Sequence, residues 1–170
     1  MHMAHEMSES VVSGLDRTDL RVLALLQRNG RATNAEIAEA VNLSASACLR
    51  RIQRLEADGV IAGYAALVDP QAVGLGLQAF VRVQLEKHGT SEVQHFVERV
   101  QSWNEVMACH ALTGEMDYLL HIVVSDLEHF SRFLLDKLLN DSGVADVNSS
   151  FVLRTVKQTR ELPLDHLQRG

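Results

Sequence analysis

From residue 15 to residue 64, apolar residues recur at helical spacing in three short runs, each opened by a capping residue. "LDRTDLRVLALLQRNG" begins on Asp16, a good N-cap, and sets Asp19 near the positive end of the helix dipole. Leu20, Leu23 and Leu26 with Ala24 form its apolar stripe, and Gly30 stops it. In "TNAEIAEAV", Thr33 and Glu36 have capping-box spacing, and Ile37, Ala38 and Val41 face inward. Asn42 turns the chain. Ser44 caps a third helix whose inward positions are Cys48, Ile52 and Leu55, and Gly59 ends it. "VIAGYAALV" has the β-branched and aromatic residues of a strand. Three capped helices, a tight turn between the second and third, and then a strand predict a winged helix-turn-helix over 15–64.

The period changes after residue 76. "DPQAVGLG" closes a linker strand and connector over 65–76. "LQAFVRVQLE" then alternates, with Ala79, Val81, Val83 and Leu85 on one face. "SEVQHFVERV" is helical, with Val93, Phe96, Val97 and Val100 on one side. "EVMACHAL" and "DYLLHIVV" read as strands joined by "TGEM", "LEHFSRFLLDKLL" as a second helix, and "ADVNSSFVLRTVK" as the last long strand. "VQHFVERV" at 93–100 lies 34 residues before "LEHFSRFL" at 127–134, a weak internal repeat. The order βαββαβ predicts a ferredoxin-like domain over 77–163, with helices on one sheet face. The other face, carrying Phe80 or Val81 according to register, then needs a partner, and a second copy is the simplest one. The expected class is α+β. Residues 1–14 and 164–170 read as tails, the first of them disordered.

Charge sharpens the division. The chain has 170 residues and a formal net charge of −6. Residues 15–64 carry seven arginines against six acids, a net of +1, whereas 65–170 carry nine basic and fourteen acidic groups, a net of −5. An arginine-only basic region before an acidic body points to two parts with different partners. No apolar run reaches the roughly 18 residues of a membrane span, and "MHMAHEMSES" lacks the form of a secretory signal. Two cysteines are too few for a disulfide framework and fit a reducing, cytoplasmic setting.

The third helix carries the first candidate chemistry. With Cys48, Ile52 and Leu55 turned inward, Ser46, Ala47, Arg50 and Arg54 face away and Arg51 lies on the flank. Small residues at the start of the helix allow close approach to base edges, and the arginines reach phosphate or guanine. The competing reading is a solvated arginine face with an Arg54–Asp58 pair. The second candidate is "LTGEMDYLL", where backbone N–H groups near Gly114 face a carboxylate and Asp117 accepts from an ammonium, as an amino-acid zwitterion requires. Its competitor is a plain hairpin in which Asp117 bonds its own turn. Cys109 and His110, adjacent on a strand, point to opposite faces and cannot chelate one metal. The sequence contains no H-x-x-x-H, C-x-x-C, G-x-S-x-G, P-loop or Rossmann pattern, so no enzyme activity and no cofactor are expected. Asp117 and His121 share a strand face, as a dyad or as a structural pair.

"LDRTDLRVLALLQRNGR", "LSASACLRRIQRLEADGVIAGY", "LTGEMDYLL" and "SSFVLRTVKQTRELPL", in this order, resemble the Lrp/AsnC family of transcription regulators over residues 15 to about 163. "ACHALTGEMDYLL" is closer to its leucine-responsive branch, and "VDPQAVGLGLQAF" resembles a branch that senses sulfur amino acids. The resemblance implies a winged helix-turn-helix joined to an effector domain of the type called RAM. It implies homodimers that assemble further, often to octamers, with a small amino acid bound between dimers, and action at the nucleoid. The implied DNA-binding set is Thr33, Ser44, Ser46, Ala47, Arg50, Arg51 and Arg54, on double-stranded DNA. The implied effector set is Thr113, Gly114, Met116 and Asp117, with Ser149, Ser150 and Phe151 at the start of the last strand, from a neighbouring subunit. The resulting expectation is a sequence-specific regulator answering to a mostly apolar amino acid such as leucine or methionine. The alternatives are an architectural DNA-compacting protein with little effector control, and an enzyme or stand-alone amino-acid-binding module.

Overall fold

The computed structural model describes residues 14–86, 89–141 and 143–169. The tail expected over 1–14 lies outside these residues except for Gly14. Two compact units form, one from residues up to Ala66 together with Lys157 onward, the other from Leu67–Val156.

The first unit holds α1 (Arg17–Arg28), α2 (Asn34–Val41) and α3 (Ala45–Ala57). Asp16 and Asp19 close a reciprocal capping box at the start of α1, and Thr33 and Glu36 do the same for α2. The N–H of Thr33, ahead of the desolvation and hydroxyl effects, holds the Glu36 carboxyl below its usual range. α1 stops at Asn29, one residue before the glycine expected to end it. Asn42 adopts the left-handed conformation (φ 58°) that turns α2 toward α3, and the Asn34 amide donates to the Ala45 carbonyl across that turn at 2.8 Å. Ile37, Ala38, Val41, Cys48, Ile52 and Leu55 form the core with Leu23, as their spacing predicts; Val22, outside the expected stripe, joins them fully buried. Burial raises the Cys48 thiol, although Arg51 opposes it, so it packs as a small apolar residue.

The strand expected at 60–68 is absent. Residues 62–69 run exposed, and no described segment forms a ladder with them. A strand is defined by a pairing partner, so β-propensity without one leaves Tyr64, Leu67 and Val68 in solvent. The unit is instead completed from the far end of the chain. The Gln27 amide exchanges bonds with the Leu162 backbone (3.3 and 2.6 Å), Arg28 pairs with Glu161 at 2.9 Å, and Leu164 packs on the three-helix core. The second unit therefore ends at Val156, earlier than the expected 163.

The second unit has strands β1 (Leu77–Leu85), β2 (Val106–Ala111), β3 (Tyr118–Val124) and β4 (Val144–Phe151), with helix α4 (Thr90–Gln101) after β1 and α5 (Leu127–Arg132) after β3. All pairs are antiparallel and the order is β2-β3-β1-β4, the ferredoxin-like arrangement. Ala79, Val81, Val83 and Leu85 point to the helix side with Leu120, Ile122, Phe96, Phe130 and Phe133. Phe96 and Phe130, the matching phenylalanines of the internal repeat, are both buried there. α5 does not continue as a regular helix: Phe133–Leu138 forms a π-helical turn that sends both Phe133 and Leu138 inward. β4 ends at Phe151, well short of the expected strand: its register with β1 closes at Ala79 opposite Phe151, with one further bond from the Val152 N–H to the Gln78 carbonyl at 2.9 Å.

Candidate nucleic-acid interface and effector loop

On α3 the outward residues divide by what holds them. Ser44 is spent as the N-cap, its hydroxyl accepting the Ala47 N–H at 3.2 Å with the Ser46 hydroxyl 3.2 Å away. Thr33, at the head of α2, is likewise engaged by Glu36. Ser46 and Arg50 are exposed, and Arg50 donates only to the Ser46 carbonyl one turn back, at 3.3 Å. Arg51 and Arg54 are tied into the first helix. Arg51 Nη1 donates to Asp16 Oδ2 at 2.6 Å and Asp19 Oδ1 at 2.8 Å, and Arg54 Nη2 to Asp19 Oδ2 at 2.5 Å. The Arg54–Asp58 pair of the competing reading gives way to this one, because Asp19 is fully buried and a desolvated carboxylate needs a cation more than an exposed one does. Partial burial works against the Asp16 carboxylate, but the Asp19 N–H and Arg51 outweigh it and hold the acid below its usual range. Ala47, Arg50, Arg51 and Arg54 line an open recess of about 330 Å³ on the outer face of α3.

Spacing alone did not reveal Asp19's role. Its signal was an acid at the third helical position, in range of arginines more than thirty residues away.

The candidate effector loop follows β2. Gly114 has φ +122°, a conformation that glycine tolerates and side chains rarely adopt, and residues 112–115 are exposed. Met116 and Asp117 are half-buried at its end. Asp117 Oδ2 accepts the Leu85 N–H at 2.8 Å, while its backbone N–H donates to Val83 and its carbonyl accepts from Leu112. The carboxylate thus clamps the loop to the end of β1, where the register with β4 shifts. This is neither the plain turn bond nor an uncommitted acceptor. His121 stacks on Phe80 (4.9 Å between centroids, 17° between planes) beside the Gln78 amide, and burial lowers its pKa. Four residues of strand, about 13 Å, separate it from Asp117, too far for a dyad.

Ser149, Ser150 and Phe151 are not beside this loop within the chain. Tyr118, next to Asp117, aligns with Val83, whereas Ser149 and Phe151 align with Val81 and Ala79 on the other side of β1. At about 3.3 Å per residue and 4.8 Å per strand, the trio lies roughly 14–20 Å away. Strand alternation also splits it. Phe151 packs edge-on against Phe130 on the helix side, and Ser150 shares the opposite face with Phe80. Cys109 packs toward the core while His110 is exposed, as adjacency on a strand requires. Among the described residues no three His, Cys, Asp or Glu side chains are grouped to hold a metal.

Two family models together cover most of the chain. A winged helix-turn-helix DNA-binding model matches residues 15–62, and an Lrp/AsnC ligand-binding-domain model matches 78–162. The chain is 38% identical over 151 residues to the DNA-binding transcriptional activator DecR of Escherichia coli (strain K12), covering 89% of this chain and 99% of that protein. It is 37% identical over 148 residues to the leucine-responsive regulatory protein of the same strain, covering 87% of this chain and 90% of the other. A transcriptional regulator of Neisseria meningitidis, solved as its L-Met complex, superposes with a TM-score of 0.87 at 50% identity, covering 90% of this chain and 99% of that one. With one family model matched to the three-helix unit and the other to the ferredoxin-like sheet, this chain belongs to the Lrp/AsnC family of transcriptional regulators.

Proposed function

We propose that this regulator binds double-stranded DNA through the outer face of α3 and answers to a small, mostly apolar amino acid, with methionine the first candidate and leucine the second. The carrying observation is the arginine-lined recess on α3, set on a capped helix that follows a tight turn. Ser46, Ala47 and Arg50 are the base-edge set, Arg54 a contact from the recess wall, and Thr33 and Ser44 sit at helix starts whose N–H groups suit phosphate. The L-Met complex of the Neisseria relative supports methionine, and the name of the leucine-responsive relative supports leucine. In the effector site, N–H groups of the Thr113–Met116 loop meet the carboxylate. Asp117 supplies the negative charge facing the ammonium while it anchors the loop on Leu85. Ser149 and Phe151, on one face of β4, come from a neighbouring copy, since about 14–20 Å separates them from the loop within one chain, whereas Ser150 lies on the opposite face.

The sheet supports a dimer. Its outer face carries Phe80, 41% exposed, with Leu119, His121 and Ser150, and a second copy covers this face before dimers assemble further. The protein acts at the nucleoid as a regulator, without catalysis of its own.

The test is thermal melting of the full chain with each of the twenty amino acids, followed by DNA titration. A ligand at 100 times its Kd raises stability by about 2.7 kcal/mol, and methionine should give the largest shift. Arg50→Ala should lower DNA affinity by about 1–3 kcal/mol at fixed salt with the melting temperature unchanged. No shift with any amino acid overturns the effector reading, and unchanged DNA affinity overturns the assignment of α3.

A further inference from the structure

We propose that Asp19 is a positioning residue for DNA reading: it holds Arg54 from behind so that the free edge of the guanidinium faces the recess, and it uses Arg51 as the crosspiece. The inference rests on α3 being the DNA-reading helix.

Asp19 is fully buried, yet both of its oxygens are used by donors from outside its own turn. Oδ2 accepts the Asp16 N–H at 3.0 Å and Arg54 Nη2 at 2.5 Å, and Oδ1 accepts Arg51 Nη1 at 2.8 Å. Asp16 completes the ring, accepting the Asp19 N–H at 2.8 Å and Arg51 Nη1 at 2.6 Å. Two carboxylates thus balance two guanidiniums, and the capping box of α1 doubles as a socket for α3. The three arginines of the third helix are therefore not equivalent. Arg51, 28% exposed with one nitrogen shared by two carboxylates, is part of the socket. Arg54, 46% exposed and held by one nitrogen, keeps other N–H donors for a base or phosphate. Arg50 is held only by its own helix.

A guanidinium suits this task because its planar fork can be gripped on one edge and read on the other; an ammonium has no such edges. Holding Arg54 before DNA arrives removes rotamer freedom that binding would otherwise have to freeze. It also prevents Arg54 from drifting to the nearest phosphate, where it would add affinity without sequence information. The socket thus trades charge at the DNA surface for a fixed reading geometry. That fits a stretch, residues 15–64, whose seven arginines leave a net charge of only +1.

The experiment uses the full chain and two duplexes of equal length and composition, one enriched by the parent protein from a random-sequence pool and one scrambled. Asp19→Asn keeps the size of the side chain and removes its charge. The expected result is at least a tenfold fall in affinity for the enriched duplex. Affinity for the scrambled duplex holds or rises, and the salt dependence steepens by about one ion as Arg54 moves to phosphate. A purely structural role would lower both affinities together and leave the salt slope alone, and that outcome overturns the proposal. If circular dichroism shows that Asp19→Asn does not fold, Arg54→Lys replaces it. There the ion pair can persist while the outward edge is lost, and an unchanged ratio of enriched to scrambled affinity overturns the proposal. If the parent enriches no sequence at all, the DNA-reading assignment of α3 falls, and this inference falls with it.

Discussion

The three-helix unit and the sheet unit each bury one carboxylate but hold it differently. The first brings charges inside and neutralises them there: Asp19 is fully buried and meets two arginines, and each of its three helices starts on a side-chain cap. The second buries Asp141 on one arginine, Arg99 at 3.4 Å, builds an apolar core around Phe96, Leu120, Ile122 and Phe133, and leaves one sheet face open with Phe80 stacked on His121. Under the proposed function, the open half-apolar face of the sheet is finished by a second copy.

The sharpest way to break this contrast is to leave Asp19 without cations. Arg51→Ala with Arg54→Ala should cost about 3–5 kcal/mol in urea unfolding of the first unit, the usual cost of an uncompensated buried charge. Arg50→Ala, on the same helix, should change stability by less than about 0.5 kcal/mol. A cost near zero for the double variant would mean that the socket carries no energy. On the sheet side, Phe80→Asp should leave the fold intact and weaken self-association by about 2 kcal/mol or more, read as a shift toward monomer in light scattering. Retained assembly would assign the interface elsewhere. Asp117→Ala removes the acceptor of the Leu85 N–H and should cost about 1–3 kcal/mol of the second unit's stability, measured by denaturant melting, together with effector binding. Loss of effector binding alone would mean that the clamp is dispensable.

The smallest effect is the pH dependence of His121. Burial lowers its folded pKa below the free value of 6.5, so below that pH the unfolded chain holds more protons. Stability contributed at this site is complete above pH 6.5 and declines as the pH falls from there toward the folded pKa. Melting temperatures at pH 7.5 and 5.5 should therefore lie closer together in His121→Gln than in the parent.

The helices, their caps, the inward stripe of α3 and the order of the strands were all legible from spacing, because each is set within a few residues. Three features were not. The pairing of Arg51 and Arg54 with Asp19 spans 32 to 35 residues and depends on where α1 lies against α3. The segment at 60–68 has the composition of a strand but lacks a partner, and composition says nothing about partners. "NSSFVL" read as one patch, although a period of two sends its residues to opposite faces and the sheet register carries them away from the loop at 113–117. The family resemblance named both halves of the candidate effector site and expected the second from a neighbouring subunit.

The return of residues 157–169 to the first unit changes how the chain can be taken apart. The effector unit is a cassette inserted into the DNA-binding unit between Ala66 and Lys157, not a module appended to its end. A chimera made with a single cut after Ala66 would strip Gln27 and Arg28 of their partners and the helix core of Leu164. Exchanging sensors between relatives therefore calls for two junctions, with the native tail restored behind the foreign domain.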